Sequence, residues 1–532
     1  MQLWGDSLSH LHTTETLTGK ILSIVFLFTT DLLIGQLERE GTPVSWNIGE
    51  NFVSHSIWKT IPALDFDALL DEDRGQEDKS VPYRFALAED VDYSPDNSGK
   101  WSNLQNGDRI WVLGLDCQNA LAVGLTFGHL ELPRGGRMYI YSEDHRDFIG
   151  PFSSADNTTM PVGTPPVAGS RIIIEYYEPY AFRGYGEFSL RSVARSYRNI
   201  RDFSDSEESE CFEFLDGTQF SNDVTNASSS VLMMIVENGQ RIATSTLINN
   251  TSNDGTPYVM TSVNALLGLP SSWVFLFDVT RNRCFGANSN CTSSAICGAH
   301  VLETNADLGL ALLKLRNEPR NNWRAYYSGW RLGTSEMSSD YICLQHSLGL
   351  PQSYVTYSGS FADGENHGLP TKVLNSSLQG STFQGAIGSP LFDDDMNLIG
   401  MYVGGNSNCS ATGDDHFVMI SSNWTELDEY LDPFAFHFDR LEGLYPTTEE
   451  PGTPTKELNV FFFPNPTQER IYVQNDSEDP VSRIIIRDAG GRLVRDIHPK
   501  VPTVDLENLP MGFYTITFIV GNQVSNQSLL IR

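Results

Sequence analysis

The residues of this sequence that could do chemistry stand in incomplete sets. Hydrolysis by a nucleophilic side chain needs a hydroxyl or thiol, an imidazole base, and a carboxylate that orients the base. The loop Gly385-Ala-Ile-Gly-Ser-Pro390 offers Ser389, the segment Cys343-Leu-Gln-His-Ser347 offers His346, and His416 stands beside Asp415. A hydroxyl without a positioned base gains little, so these residues alone do not announce an enzyme. Asp393-Asp-Asp-Met-Asn397 opens like a calcium loop but lacks the following Gly and the Glu at the twelfth position. It lies between two apolar runs and reads as a hairpin turn. The seven cysteines, Cys117, Cys211, Cys284, Cys291, Cys297, Cys343 and Cys409, contain no C-x-x-C pair and no His/Cys cluster at zinc spacing. No metal and no cofactor is therefore expected. The odd number leaves at least one thiol free or paired with another molecule.

The elements that must position these residues are strands. The chain has 532 residues, so three or four domains are expected. Hydrophobic residues make up 40%, which is enough to build cores and excludes wholesale disorder. Forty-four Gly, 26 Pro and few long amphipathic periods point to an all-β protein with many turns. Acidic residues number 67 against 35 basic ones, a formal charge of -32 that repels phosphate backbones. Nucleic acid is not an expected partner.

One apolar run, Ile21 to Leu33 after Lys20, is too short for a membrane span and fits the core of a secretory signal, with small Gly35 near the cleavage point. Residues 1–36 thus read as an N-terminal extension and signal peptide. The polar stretch Met1 to Gly19 suggests a start codon downstream of Met1. No transmembrane segment is expected.

Three segments follow. Residues 37–205 carry aromatic-rich runs, Arg109 to Leu115, Arg137 to Tyr141 and Arg171 to Tyr177, and read as a β-sandwich. Residues 206–445 carry Ser230 to Val236, Leu308 to Leu315 and Leu398 to Val403 as strands, with a short helix Ser422 to Leu431 closed by Pro433. The acidic run Asp202 to Glu210 reads as a solvated link between the two. Residues 446–457, rich in Thr, Glu and Pro, read as an extended linker. Residues 458–532 hold strands at Arg470 to Val473, Val481 to Arg487, Gly512 to Val520 and Gln527 to Arg532, with a hairpin turn at Gly490-Gly491.

In the last segment, Phe461-Phe-Phe-Pro-Asn-Pro466, Ala489-Gly-Gly-Arg-Leu-Val494, Val504-Asp-Leu-Glu-Asn-Leu509 and Met511-Gly-Phe-Tyr514 occur in order. That series resembles the type A C-terminal sorting domain of the Bacteroidetes type IX secretion system. The resemblance implies an immunoglobulin-like β-sandwich, the type IX machinery as partner, and a secreted protein, extracellular or at the outer cell surface.

In the middle segment, Thr246-Leu-Ile-Asn-Asn-Thr-Ser-Asn-Asp254, Tyr258-Val-Met-Thr261, Tyr327-Ser-Gly-Trp330, Gly385 to Pro390, Gly404 to Gly413 and Tyr430-Leu-Asp-Pro433 occur in order. Together they resemble the bacterial lysyl endopeptidases, secreted trypsin-like serine proteases. The resemblance implies a chymotrypsin/trypsin-like double β-barrel with its site between the barrels. The family's base lies in Thr-Ala-His-His-Cys, where this chain reads Thr261-Ser-Val-Asn-Ala265, so Asn264 takes the His position. An amide accepts no proton from a nucleophile. The family's Gly-x-Ser-Gly-Ser-Pro loop is here Gly385 to Pro390, with Ile387 at the Ser position and no nucleophilic atom. The orienting Asp falls on Gly309 in an ungapped match, or on Asp307 after a two-residue shift. Both ends of the family's bridge beside the His, Ala265 and Ala243, are also missing.

The resemblance further implies a Cys211–Cys409 disulfide, and makes Asp415 the pocket-floor carboxylate that selects lysine. An Asp in a polar turn beside Asp414 is the plainer reading of that residue. Cys284 is left to pair locally with Cys291 or Cys297, while Cys117 is expected buried and free. The first segment, through Trp101, Trp111, Pro133-Arg-Gly-Gly136 and Glu175-Tyr-Tyr-Glu-Pro179, is similar to the pro-region before such proteases. Without self-cleavage it is expected to stay, unless another protease cuts near Arg198 to Arg201. The expectation is a pseudoprotease that binds a peptide or protein ligand carrying Lys. The alternative is an active lysine-specific serine endopeptidase with a rearranged centre.

Overall fold

The computed structural model describes residues 41–47, 58–75, 77–200, 211–215, 220–280, 294–333, 340–375, 377–409, 413–446, 460–475, 480–488, 493–499, 503–520 and 523–532. The chain divides into two compact units, Met1–Leu33 and Ile34–Arg532, and every described residue lies in the second. The signal-like run, the acidic link, the Thr/Pro linker and the Gly490-Gly491 turn fall outside the described residues, as do Cys284 and Cys291.

Strands dominate, as composition and punctuation suggest. The first two sheets face each other as a sandwich. One runs Trp58–Ile61, Arg109–Cys117, Arg171–Glu178, Arg137–Ser142, Phe148–Phe152, with Lys100–Asn103 added beside Arg109–Cys117. The other runs Val167–Ala168, Ala122–Glu131, Glu187–Ser196, Ala86–Tyr93, with Val162–Gly163 on Ala122–Glu131. Leu113, Leu115, Leu125, Phe127, Ile174 and Val193 fill the space between them. The outer face of the first sheet is covered too, since Ile110, Val112, Tyr139, Tyr141 and Ile173 pack on Val44, Trp46 and Trp58. This is why Arg109–Cys117 reads as a nearly continuous apolar run and not as an alternation. Glu175 is buried there and satisfied by the Val44 N–H at 2.6 Å, the Ser45 N–H at 3.2 Å and the Tyr141 hydroxyl at 3.1 Å.

The next two sheets form the double barrel. The first is antiparallel, in the order Ala295–Cys297, Val274–Leu276, Val231–Val236, Arg241–Leu247, Tyr258–Ser262, Leu310–Leu315, Ala299–Asn305. The second runs Glu213–Phe214, Ser353–Ser358, Asp340–Gln345, Pro390–Phe392, Leu398–Gly405, Asp415–Met419, Leu369–Leu374, Ala362–Asn366, with Ser377–Gln379, Trp330–Arg331 and Arg440–Leu441 beside it. Two features go beyond sequence patterning. Tyr83–Arg84 joins the first barrel, pairing antiparallel with Ile242 and Arg241. The sandwich core also continues into that barrel through Met233, Ile235, Ile242 and Val274. The expected terminal helix is Trp424–Leu431, entered through a 3-10 turn, Ile420–Asn423. The Asp393 to Asn397 stretch is a hairpin turn, with Asp393 Oδ1 accepting from the N–H groups of Asp395 and Asn397.

The last two sheets are Val460–Phe463, Arg470–Asn475, Thr503–Asp505 and Leu493–Ile497, Val481–Asp488, Gly512–Val520, Gln523–Ile531. They enclose Ile471, Ile484, Ile486, Val504, Ile516, Phe518 and Leu529 as an immunoglobulin-like sandwich. Its Ile485 and Ile519 pack on Phe434, Phe436 and Phe438, just after the terminal helix of the middle segment. No helix among the described residues is long and apolar enough to cross a membrane.

Candidate functional site

Three turns meet between the barrels. Tyr258–Ser262 runs into the 3-10 turn Val263–Ala265, where Ser262 Oγ caps the turn by accepting from the Asn264 N–H at 3.2 Å. Asn264 is half-buried. The second turn precedes Leu310–Leu315, and its Gly309 carbonyl accepts from the Val263 N–H at 3.0 Å. The third is the loop Gly385 to Ser389. Thr244 holds this loop by donating its hydroxyl to Gly385 O at 2.9 Å and its N–H to Ile387 O at 2.9 Å. Gly388 sits at φ +80, and a Cβ there would come within 2.1 Å of Thr261 Oγ1 and 2.3 Å of Thr244 O. Only glycine lets the loop lie this close to the first barrel.

The middle of that loop is filled with hydrocarbon. Ile387 is fully buried in a cluster that spans both barrels: Ala243, Met260, Ala265 and Leu312 from the first, Phe392, Met401 and Val418 from the second. Ala243 and Ala265 thus contribute packing to the same cluster. Gly309, not Asp307, lies against the Asn264 turn. Asp307 is exposed, and its N–H donates to Asn305 Oδ1 at 3.1 Å. A Cβ on Gly309 would meet Leu369 Cδ1 at 3.0 Å and Val418 Cγ1 at 3.1 Å, and at φ +80 any side chain there would be strained.

Among the described residues, Ser389, His346 and His416 do not hydrogen-bond to one another. Ser389 is fully buried, its hydroxyl without a hydrogen-bond partner among the described residues. His346 is buried with Nδ1 3.1 Å from Leu350 O, and burial pushes its imidazole down to about 4. A neutral ring aimed at a backbone carbonyl is held by its own loop. His416 meets Thr371 Oγ1 at 2.9 Å through Nδ1.

Asp415 is different. It opens Asp415–Met419 and is fully buried, yet both oxygens are bonded. Tyr357 donates to Oδ2 at 2.8 Å, Thr382 to Oδ1 at 2.9 Å, and Ser407 lies 2.9 Å from each oxygen. Burial raises its carboxyl above the usual range, against the pull of Lys79 and the three hydroxyls. The ammonium of Lys79 enters this pocket, donating to Thr382 Oγ1 at 3.3 Å and to the Ser407 carbonyl. It also lies 5.5 Å from the centroid of the Phe383 ring. Nothing in the sequence marks Lys79, because it precedes Thr382 by 303 positions and belongs to the first segment. Tyr357, Thr382 and Ser407 also escaped sequence reading. Their only signal is a polar residue beside apolar strands, which is common in any turn-rich protein.

Cys211 and Cys409 form a disulfide across a separation of 198 residues, tying the start of the middle segment to the loop before Asp415. Among the described residues Cys117 and Cys343 are buried and free, and Cys297 is free and half-buried. Among the described residues no group of His, Cys, Asp and Glu could hold a metal ion.

Residues 209–418 match the family model for the lysyl endopeptidase C-terminal domain, and residues 461–532 match that for the secretion system C-terminal sorting domain. Similar solved structures include an inactive form of a serine-to-alanine mutant of Rv3671c from M. tuberculosis H37Rv. That likeness has 12% identity and a TM-score of 0.28, covering 40% of this chain and 91% of the other. The apo MamO protease domain from Magnetospirillum magneticum gives 14% identity and a TM-score of 0.28, over 38% and 98%. HBP, solved at atomic resolution, gives 14% and 0.30, over 39% and 93%. At TM-scores this low these likenesses decide nothing about chemistry. The middle of this chain is similar to the C-terminal domain of lysyl endopeptidases, and its last segment is similar to a secretion-system sorting domain, which marks the protein for export to the cell surface or the extracellular space.

Proposed function

We propose that this protein is a pseudoprotease: it keeps a lysyl endopeptidase-like fold and uses it to bind, not to cut. The carrying observation is Ile387, buried in the inter-barrel cluster where the resemblance puts the nucleophile, with Asn264 where it puts the base. Hydrolysis without an attacking atom or a proton acceptor loses about a million-fold in turnover. Gly309 supports the same reading, because at φ +80 and in tight contact with Leu369 and Val418 the third group of a triad would be strained there. Ser389 and His346 are both buried, but among the described residues the Ser389 hydroxyl has no hydrogen-bond partner and His346 Nδ1 faces Leu350 O, so a rearranged centre draws no support from them.

In this reading residues 1–36 hold a signal peptide, residues 37–205 a retained pro-region-like sandwich, residues 206–445 the binding fold, and residues 446–457 a linker. Residues 458–532 take the chain through a type IX route of the Bacteroidetes kind. Asp415 then selects a ligand with a lysine side chain. A fluorophosphonate probe tests the chemistry. No labelling of the purified protein is expected, and stoichiometric labelling would return it to the working hydrolases. Deleting Leu458 to Arg532 tests the route: the truncated chain is expected to stay inside the cell, and its arrival at the surface would remove the sorting role.

A further inference from the structure

We propose that the cleft already carries its ligand: the segment Asp78 to Arg84 of the same chain lies in it as a bound peptide, with Lys79 in the Asp415 pocket. This deepens the binding reading above and rests on it for the segment's staying uncut in the cleft.

The segment meets the middle fold along its whole length. Upstream of the lysine, Asp78 O accepts from Gln384 Nε2 at 3.2 Å, and its carboxylate lies 3.6 Å from His367 Nε2. Lys79 reaches Thr382 and the Ser407 carbonyl, two residues that also bond Asp415. Ser80 is buried against Gly404, where a Cβ would come within 3.2 Å of the Ser80 Cβ. Pro82 O accepts from Arg241 Nη1 at 3.0 Å, and Tyr83–Arg84 adds a strand to Arg241–Leu247. The Phe85 N–H then donates to Gln240 O at 3.0 Å. A lysine anchored in an acidic slot, followed by an extended chain that augments a sheet edge, is how a peptide ligand is held: backbone pairing supplies affinity and the pocket supplies specificity.

The charges explain why the pocket does not stand empty. A fully buried carboxylate without a cation is costly. The lysine that answers it is tethered, and a short tether raises its effective concentration to about the millimolar range. The far end of the segment is pinned as well. Arg84 pairs with Asp73 at 2.6 Å, and Asp73 also accepts from Tyr197 at 2.6 Å and Arg198 at 2.9 Å. The cleft therefore takes extended peptides in which Lys precedes a small residue, and an external one must displace the resident.

Two measurements test this on the full chain. The first titrates a labelled peptide, Lys-Ser-Val-Pro-Tyr-Arg, into the parent, Lys79→Ala, and Lys79→Ala with Asp415→Asn. Binding at least tenfold tighter to Lys79→Ala than to the parent is expected, with that gain lost in the double variant. Equal affinity for parent and Lys79→Ala, or no binding to a folded Lys79→Ala, overturns the proposal. The second compares hydrogen exchange of the parent and the isosteric Asp415→Asn, and needs no added peptide. Amides of Ser80 to Phe85 are expected to exchange at least tenfold faster in the variant while Val231–Val236 stays unchanged. Unchanged exchange in Ser80 to Phe85 overturns it. The broader reading fails separately: fluorophosphonate labelling, or a cut between Lys79 and Ser80 in the purified chain, sinks the pseudoprotease and not the docking of Lys79.

Discussion

Lys79 and Asp415 are joined through one hydroxyl: Thr382 Oγ1 accepts from the ammonium at 3.3 Å and donates to the carboxylate at 2.9 Å. The pair spans two structural layers and neutralises a charge that the interior could not hold alone. The two groups should therefore be coupled in stability. Lys79→Met and Asp415→Asn are each expected to destabilise, and the double variant to cost less than their sum by about 1–3 kcal/mol. Urea unfolding followed by tryptophan fluorescence reads the cycle, and strict additivity would separate the two residues.

Ile387 packs in the apolar cluster that both barrels share. Ile387→Ala is expected to lower stability by about 2–4 kcal/mol through the cavity it opens among Ala243, Met260 and Ala265. Ile387→Ser restores a hydroxyl, yet Asn264 still accepts no proton, so peptide hydrolysis should stay at background. Robust turnover by that single variant would contradict the account of the site.

The Cys211–Cys409 bridge closes a loop of 198 residues, and long closures restrict the unfolded chain most. Cys211→Ser with Cys409→Ser is expected to cost about 3–5 kcal/mol, read as a lower urea midpoint. The bridge ends six residues before Asp415. The same variant should thus also raise hydrogen exchange around Ser407.

His346 gives the acid side of stability a definite sign. Its ring is held neutral by burial, with the folded value lowered from 6.5 to about 4. Its contribution is complete above the unfolded value of 6.5. As pH falls below that, unfolded chains take up the proton first, and stability drains until about pH 4, where the folded ring also protonates. The total is about 3 kcal/mol. Asp156, raised to about 6, and Asp415, also raised, act in the opposite sense: each loses stabilising effect as pH rises through its folded value. The measurement is therefore a difference. His346→Gln should show a flatter loss of stability than its parent between pH 6.5 and 4, and parallel curves would remove the assignment.

The strands were legible in the sequence because side-chain periodicity and turn residues are local. Arg109–Cys117, Val231–Val236 and Gly512–Val520 stand within two residues of where their apolar runs place them. That Asn264 brings no base and Ile387 no nucleophilic atom was legible too, since an amide or a branched hydrocarbon lacks those atoms in any fold. Resemblance alone pointed to the Cys211–Cys409 bridge, because spacing does not determine pairing. Tertiary structure decided the rest. It placed Gly309 and not Asp307 against the Asn264 turn, made Ile387 part of one apolar cluster with both barrels, and carried Lys79 to a carboxylate more than three hundred positions away. Such contacts depend on how whole sheets close around one another. The burial that makes Asp415 need a cation exists only after the second barrel has formed, and no window of neighbouring residues records it.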